Sequence, residues 1–502
     1  MTNKSEMKAR AGVKRREGEF GEQNFAYTGS ELRSSVYLAI CIAGAAFGVV
    51  WGGTETSLAV GVACSVTSLL IVWHERVNFA GSRLVRWYFL FCAVHALAGY
   101  LGAAPVIYQI NAGSGIQRSL RESFLVVSYG SLCAAVGYSL SSRRAGSPAL
   151  SRQSSRESPF HRFLIWVRLL AIAGILVMIY LVHRLGYFPI LASSPGAARY
   201  LTESVSPEFM KYEWILNKAL DFLRCSVPLL LYAAIRYRRL IDWFLGSLGF
   251  LALAIPLRRA DLISCFLVVI LMITAFDRRA LKKCAIAAVA ALLAYVGTQI
   301  FFLGGSGPDD SAESDFFQKA MLTVLPEVRD LGWMIDTMHG EKLDGATLLQ
   351  AVNPFPTFLS ESKQENALGY VTMRAAGFDP GGTSGGLRVT SAGEWFLNFG
   401  MVGVAIGGLL FGVLIRWVAR FFDRVAENFD EPRVYLAVQL FVWLGMWVYL
   451  AGTEAWGALR NGFILILFMI FLARNKTKPI GASALIPPLS EGNMSKGWVG
   501  VP

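Results

Sequence analysis

Two adjacent arginines at the tip of a short apolar hairpin are the first residues whose type and position suggest chemistry. Arg258 and Arg259 lie with Asp261 between two apolar runs, 243–257 and 262–276. A helix of about 15 residues reaches ~22 Å, short of a ~30 Å hydrocarbon core, so these charges are predicted at or below the lipid surface. A charged side chain there costs free energy and usually has a functional reason. The planar guanidinium of arginine can bind two phosphate oxygens at once. The tip therefore predicts a phosphate or diphosphate site; alternatively, Asp261 neutralises one arginine and both extend to the surface.

A glycine-rich segment, residues 381–400, carries the next candidates. Arg388 adds a cation, and Glu394 stands where an apolar run begins, so it is a candidate general base. The alternative for Glu394 is an acidic residue favoured by the dipole of a helix N-terminus. Four glycines that follow have the GxxxG spacing that favours close helix packing: Gly403, Gly407, Gly408 and Gly412.

Four further positions carry groups that could bind or transfer protons. Glu454 and Arg460 lie in a tight turn, 452–462, where they either contact a diphosphate or form an ion pair with each other. Arg199 follows a Pro/Gly-rich stretch and is another candidate diphosphate ligand. His339 is a candidate proton carrier.

One further pair of charges is expected to have a structural role. Asp221 and Arg224 have the i, i+3 spacing of a helical ion pair. We predict that these two side chains contact each other.

The composition predicts an all-α polytopic membrane protein. Of 502 residues, 54% are hydrophobic and only 16% are charged, which fits no soluble class. The net charge of +12 would suit nucleic acid, but the cations cluster in short alternating loops, a membrane-insertion signal. We predict about twelve spans and no nucleic-acid partner. The spans are 34–53, 56–73, 84–106, 121–140, 163–182, 215–235, 243–257, 262–276, 284–303, 394–417, 434–453 and 457–473.

The positions of the basic loops predict the orientation of the chain. Lys/Arg-bearing loops fall on one side, which the positive-inside rule places in the cytoplasm together with both termini. The predicted organisation is a basic cytoplasmic tail, spans one to nine, a large periplasmic loop, spans ten to twelve and a second cytoplasmic tail; their bounds are 1–33, 34–303, 304–393, 394–473 and 474–502.

Two smaller features complete the prediction. Within the large loop, residues 313–338 have helical apolar spacing, which fits a helix on the bilayer or over a cavity, or a helix packed on the spans. The cysteines fall in or beside apolar runs without metal-ligand spacing, so we expect small buried side chains and neither metal nor cofactor. They are Cys41, Cys64, Cys92, Cys133, Cys225, Cys265 and Cys284.

The chain resembles the bacterial oligosaccharide repeat-unit polymerases, the Wzy-type O-antigen and exopolysaccharide polymerases. The resemblance combines the span count, the late large loop and a signature after that loop: Gly393, Glu394, Trp395, Asn398, Phe399 and Gly400. A Gly-x-Pro stretch before Arg199 and the turn with Arg258 and Arg259 are similar to two other family features. Arg388 departs from the family pattern, in which a small residue or proline is commoner.

The resemblance implies a GT-C-like glycosyltransferase of the bacterial inner membrane. It would join undecaprenyl-diphosphate-linked oligosaccharides at the periplasmic face, with Glu394 as base and the arginines on the departing diphosphate. Its partners would be the lipid-linked substrate, membrane lipid and a chain-length regulator protein. Two alternatives are a ligase that attaches finished glycans and a lipid-linked oligosaccharide flippase or transporter.

Overall fold

The computed structural model describes thirteen stretches of the chain, and every regular element in them is a helix. These stretches are 36–37, 39–51, 53–74, 80–109, 114–141, 160–185, 207–256, 259–276, 327–352, 365–375, 389–427, 430–452 and 454–474. The helices are α1 (Ala39–Trp51), α2 (Thr56–His74), α3 (Ala80–Gln109), α4 (Ser114–Leu140), α5 (Phe160–Leu185), α6 (Pro207–Tyr237), α7 (Leu240–Ala254), α8 (Arg259–Phe276), α9 (Glu327–Met338), α10 (Ala346–Val352), α11 (Leu368–Ala375), α12 (Ser391–Glu427), α13 (Glu431–Val442), a π-helical segment (Trp443–Val448), α14 (Tyr449–Ala451) and α15 (Glu454–Arg474).

Five of the described helices are long and apolar enough to cross a membrane. They are Thr56–His74, Leu84–Ala104, Gly115–Leu140, Phe160–Arg184 and Ser391–Ala426. Shorter apolar helices include α1, α7 and most of α8, so the predicted hairpin of two short runs is present. These helices are compatible with a multi-pass membrane protein. The count of twelve spans and the GT-C-like architecture stay predictions, and the predicted span 284–303 lies outside the described residues.

Two groups of helices pack on either side of α12. The first contains α2, α3, α4 and α9, and its apolar core includes Phe124 of α4 and Val404 of α12. The second contains α5, α6, α8, α13 and α15, with Phe163, Tyr435 and Phe422 in its core. Because α12 supplies side chains to both cores, it fixes the position of one group relative to the other.

The two ends of this helix bundle have different residues. At one end, which we call the basic end, Arg236 lies beside Glu431 and Arg239 lies over the Tyr237 ring, while the Tyr237 hydroxyl donates to the Glu431 carboxylate at 2.6 Å. At the other, which we call the loop end, the turn after α9 packs on α12, where Leu343 N–H donates to the carbonyl of Leu397 at 3.0 Å. The sequence predicts that the basic end is cytoplasmic.

α12 contains a hairpin at Gly400, which the predicted straight span 394–417 did not include. Gly400 has φ +66° and ψ −157°, values that an L side chain rarely adopts. The nine residues before it fold back along the helix that follows. The contact between Trp395 and Gly407 shows this, since a β-carbon at Gly407 would lie 2.5 Å from the Trp395 ring. Residues 391–399 therefore form a short helix antiparallel to the start of the long one.

The predicted glycine packing is present on both faces of α12. Gly403 and Gly407 contact the folded-back Trp395, whereas Gly408 and Gly412 contact the backbone of α4 around Ala134. A β-carbon at any of the four would overlap a neighbouring atom, so the close approach of these helices requires glycine.

The helix predicted within the large loop packs on the spans. In α9, Val328 and Leu331 are fully buried, and Ser123 of α4 donates to the Val328 carbonyl at 2.8 Å. This arrangement matches the packing alternative of the sequence analysis. The earlier apolar positions of that prediction, Phe317, Met321 and Val324, lie outside the described residues.

Buried cysteines and a widened helical turn complete the fold. Six of the seven cysteines are described, and all six are buried with free thiols, as predicted; Cys284 is outside the described residues. Asp430 caps α13 by accepting from Arg433 N–H at 3.3 Å. α13 then continues into the π-helical segment, a wide turn of a kind often found at functional sites.

Candidate functional site

Glu394 lies inside the bundle on the folded-back helix of α12. Glu394 is only 1% exposed, and its carboxylate lies directly against Gly452 at the end of α14. Thr390 caps the short helix, because its hydroxyl accepts from Gly393 N–H at 3.1 Å. The hairpin thus brings a carboxylate from a glycine-rich segment into a largely apolar interior, where an ionisable residue is a candidate functional group.

Asn398, one turn further on, binds the loop that covers this helix. Its Oδ1 accepts from Gly345 N–H at 2.9 Å, and its Nδ2 donates to Thr347 Oγ1 at 2.8 Å. Nδ2 also lies 2.8 Å from the carbonyl oxygen of Glu394. This residue of the resemblance signature therefore fastens residues 343–347 to the folded-back helix.

Lys342 reinforces that contact from the same loop. Its Nζ lies 4.3 Å from the centroid of the Phe396 ring and 3.5 Å from the Phe396 carbonyl oxygen. Desolvation lowers the pKa of the Lys342 ammonium below its ordinary value, and the carboxylate of Glu122 partly opposes this shift. The loop is held by a cation–π contact as well as by hydrogen bonds.

A buried histidine forms a second polar group that the sequence analysis did not identify. His95 of α3 is 1% exposed, and its Nε2 lies 3.0 Å from Oε2 of Glu327, the first residue of α9. The hydroxyl of Tyr449 lies 3.4 Å from the other ring nitrogen, Nδ1. A neutral imidazole satisfies both contacts when Nε2–H donates to the carboxylate and Nδ1 accepts from the tyrosine. We call these three residues the histidine group.

The histidine group and Glu394 contact opposite ends of the same short helix. Tyr449 begins α14, and Gly452 follows its last residue, so the two contacts are separated by roughly 5 Å along the axis. Beside Tyr449 lies a narrow, mostly apolar crevice with a volume of about 30 Å³. Its lining includes Cys92, Ser131, Ala392, Trp395, Phe411 and Tyr449. Tyr449 of the histidine group lines this crevice, and Glu394 precedes the lining residue Trp395 in sequence.

A third group of buried charges lies on the other side of α13. Arg224 of α6 binds Asp261 of α8 through two bonds, from Nε at 2.7 Å and from Nη2 at 3.0 Å. Its Nη1 donates to Asp221 at 3.1 Å, so the predicted i, i+3 pair is confirmed. We call these three residues the arginine–aspartate cluster. Asp261 thus has its ion pair with another helix, which the sequence analysis did not consider.

The cluster lies well inside the bundle. At ~1.5 Å per residue, Arg224 is roughly 20 Å along α6 from Tyr237 at the basic end. Asn461 of α15 joins it by donating to Asp221 at 3.3 Å. The preceding residue, Arg460, is half-buried, and none of the ion pairs among the described side chains involves it. Asn461 of α15 and Asp261 at the start of α8 therefore belong to one network of contacts.

Several predicted site residues cannot be placed in this way. Arg199, Arg258 and Arg388 lie outside the described residues, as do the side chains of Arg259 and Glu454, which begin α8 and α15. His339 is exposed on the turn after α9, with φ +48°. The buried histidine beside a carboxylate is instead His95.

The sequence contains weak signals for the two residues that were missed. His95 is an ionisable residue in an apolar run, which is itself a reason to suspect a function. Glu327 lies at the start of an amphipathic helix, where acidic residues are common for electrostatic reasons alone. Their contact joins positions 232 residues apart, so neither position predicts the other.

No family model, no curated protein and no solved structure matches this chain. Its class therefore follows from its own residues. Within the described residues it is all-helical, with apolar helices compatible with a multi-pass membrane protein and with buried Glu394, His95 and Glu327 in its interior.

Proposed function

We propose that this protein is a membrane glycosyltransferase that polymerises lipid-diphosphate-linked oligosaccharide repeat units. The observation that carries the proposal is the position of Glu394: a buried carboxylate against Gly452, on a helix fastened to the covering loop by Asn398. A base held rigidly away from water is what the attack of a sugar hydroxyl requires.

The proposed reaction transfers a growing glycan from one lipid diphosphate to a new repeat unit. The acceptor hydroxyl oxygen forms a bond to the donor's anomeric carbon, and the bond from that carbon to the diphosphate oxygen breaks. The hydroxyl proton passes to Glu394, and the lipid diphosphate leaves with the electron pair. No nucleotide sugar is needed, because the donor is already activated.

Arginines are proposed to stabilise the departing diphosphate. Arg460 is half-buried and lies next to Asn461, which contacts the arginine–aspartate cluster. That cluster includes Asp261, which follows Arg258 and Arg259 closely in sequence. A guanidinium in a partly apolar setting stabilises phosphate charge more strongly than one in water. Arg199 and Arg388 remain candidate ligands from the sequence.

The proposed location is the bacterial inner membrane, with the loop end facing the periplasm. The basic end carries Arg236, Arg239, Arg420, Arg424 and Arg433 within the described residues, which favours its cytoplasmic placement. Lipid-linked sugars would then reach the loop end from the outer leaflet. A chain-length regulator protein is the partner that the family resemblance suggests.

The test is the length of surface glycan in cells that produce Glu394→Gln. We expect single repeat units in place of long chains, because the amide cannot accept the hydroxyl proton. Glu55→Gln is the matched control, since Glu55 is 94% exposed at the loop end and should leave chain length unchanged. Immunoblots of membranes establish equal expression. Glycans of normal length from well-expressed Glu394→Gln would refute the proposed role of this residue as base.

A lipid-linked oligosaccharide transporter is the second candidate, and one observation favours it. The broken helix at Gly400 and the ion pair inside the bundle are features that transporters use at their binding sites. The two candidates differ in what the purified protein does. Elongation of lipid-linked repeats in detergent, without any gradient, supports the polymerase; substrate movement across vesicles without elongation supports the transporter.

A further inference from the structure

Arg416 of α12 has no role in the proposed reaction, yet this half-buried cation has two buried nitrogen atoms with unused hydrogen-bond donors. Its Nε and Nη1 atoms are buried and donate no hydrogen bond to any of the residues that the structure describes. The guanidinium carbon lies 4.6 Å from the centroid of the Tyr138 ring, in the groove between α4 and α12. A buried guanidinium with free donors is costly unless an acceptor occupies the site.

The surroundings of Arg416 add positive charge. Arg420, one turn further along α12, donates from Nη2 to the Ser141 carbonyl oxygen at 2.6 Å and so caps the end of α4. The Ser141 hydroxyl donates to the Tyr138 carbonyl oxygen at 3.0 Å. Ser141 and the Nη2 atom of Arg420 therefore each donate a hydrogen bond within the protein. Among the described residues of this groove, the unused donors therefore belong to Arg416, beside a second arginine.

An exposed apolar stripe on α12 leads to the same groove. It consists of Val402, Ile406, Leu410, Val413 and Trp417, each at least 45% exposed. The stripe ends at Trp417, whose ring stacks on Phe421 with an interplanar angle of 9°. Tryptophan is typical of the level where acyl chains meet headgroups, so Arg416 lies at headgroup level beside a surface that suits an acyl chain.

We propose that the groove between the end of α4 and α12 binds the phosphate of an anionic phospholipid. Arg416 supplies the hydrogen-bond donors and the charge, Arg420 supplies a second charge, and the stripe ending at Trp417 receives an acyl chain. Basic grooves between membrane helices are a known way to bind anionic headgroups. The site lies at the basic end, far from Glu394, and does not depend on the reaction proposed for that residue.

The experiment measures lipid that stays bound to the full-length protein. The protein is placed in phosphatidylcholine nanodiscs with phosphatidylglycerol added, and native mass spectrometry counts the retained phosphatidylglycerol. We expect Arg416→Gln to lower the affinity for phosphatidylglycerol by at least about fivefold, the effect of one arginine near an anionic surface. Arg424→Gln is the matched control, because it removes the same charge from an exposed position on the same helix.

Two further measurements distinguish a lipid phosphate from a soluble one and a binding role from a folding role. Arg416→Lys keeps the charge and is expected to retain intermediate binding, which keeps the test valid where Arg416→Gln folds poorly. Inorganic phosphate is tested alone in a neutral detergent; if it protects the protein from unfolding through Arg416 while phosphatidylglycerol does not bind, the site takes a soluble phosphate group and the lipid assignment is wrong. Equal retention by wild type and Arg416→Gln, or equal losses in Arg416→Gln and Arg424→Gln, would overturn the proposal.

Discussion

The histidine group and the arginine–aspartate cluster are both buried and polar, but they satisfy their charges differently. Arg224 meets two carboxylates, with two bonds to one of them, so its charge is fully matched within the protein. His95 instead connects one carboxylate to one phenol, with a single contact to each. The comparison teaches that burial of charge alone does not identify a reactive site. The cluster fastens helices together, whereas Glu394, in the proposed reaction, receives a proton.

The largest effect is expected from Asp261→Ala in the arginine–aspartate cluster. It leaves Arg224 buried without its main partner, which typically costs about 3–5 kcal/mol. Thermal unfolding of the purified protein in detergent measures the loss. The double variant Arg224→Met with Asp261→Leu should recover most of the stability, because no charge is then left unpaired.

Normal stability of Asp261→Ala together with a loss of polymer formation would contradict the structural role of the arginine–aspartate cluster. The cluster would then belong to the reactive machinery instead of the framework. Asp430→Ala, which removes the partly exposed cap of α13, provides a scale, with an expected cost of about 1 kcal/mol.

An intermediate effect is expected from His95→Leu. The buried Glu327 carboxylate loses its hydrogen bond, which costs about 1–3 kcal/mol, and α9 should loosen because Glu327 is its first residue. Hydrogen exchange of residues 327–338 measures this loosening. His74→Leu, at an exposed position, should change neither exchange nor stability. Unchanged exchange in α9 would show that the contact does not hold the loop helix.

A smaller, local effect is expected from Asn398→Ala. Gly345 N–H and Thr347 lose their partner, so the loop should detach more often, at a cost of about 1–2 kcal/mol. The readout is faster hydrogen exchange at residues 343–347, with no change in α6 or α8. Slowed glycan elongation in the same variant would indicate that residues 343–347 contribute to the reaction proposed for Glu394.

The smallest effect is expected from Tyr449→Phe. The change removes one hydroxyl whose contact with His95 is long, at 3.4 Å, so stability should fall by only about 0.5–1.5 kcal/mol. If Tyr449 takes part in proton transfer, the pH profile of polymer formation shifts while unfolding barely changes. A loss of stability as large as that of Asp261→Ala would instead make the histidine group a structural cluster.

Short-range features of this fold could be predicted from the sequence. The hairpin of α7 and α8, the Asp221–Arg224 pair and the glycine packing of α12 depend on residues close in sequence or on regular spacing. The burial of the cysteines follows from their apolar surroundings. In each case the physical cause acts over one or two helical turns, so the pattern is visible in the chain itself.

Long-range features could not be predicted in this way. The prediction of a straight tenth span missed Gly400, because a glycine among apolar residues is also tolerated in a regular helix. The contacts of His95 with Glu327 and of Arg224 with Asp261 depend on which helices become neighbours. Glu394 was recognised as a candidate, but its burial against Gly452 results from the hairpin and the end of α14 together.

The π-helical segment joins α13 to α14 in one continuous helical segment. This segment contacts both the arginine–aspartate cluster and the histidine group. Before the π-helical turn, Gln439 donates to the Arg224 carbonyl oxygen; after it, Tyr449 contacts His95. A wide turn that contains one extra residue changes the direction of all later side chains by about 100°, relative to a regular α-helix of the same sequence. A regular α-helix of the same sequence would direct Tyr449 about 100° away from this position, so the wide turn sets the direction of Tyr449 toward His95 relative to that of Gln439 toward α6.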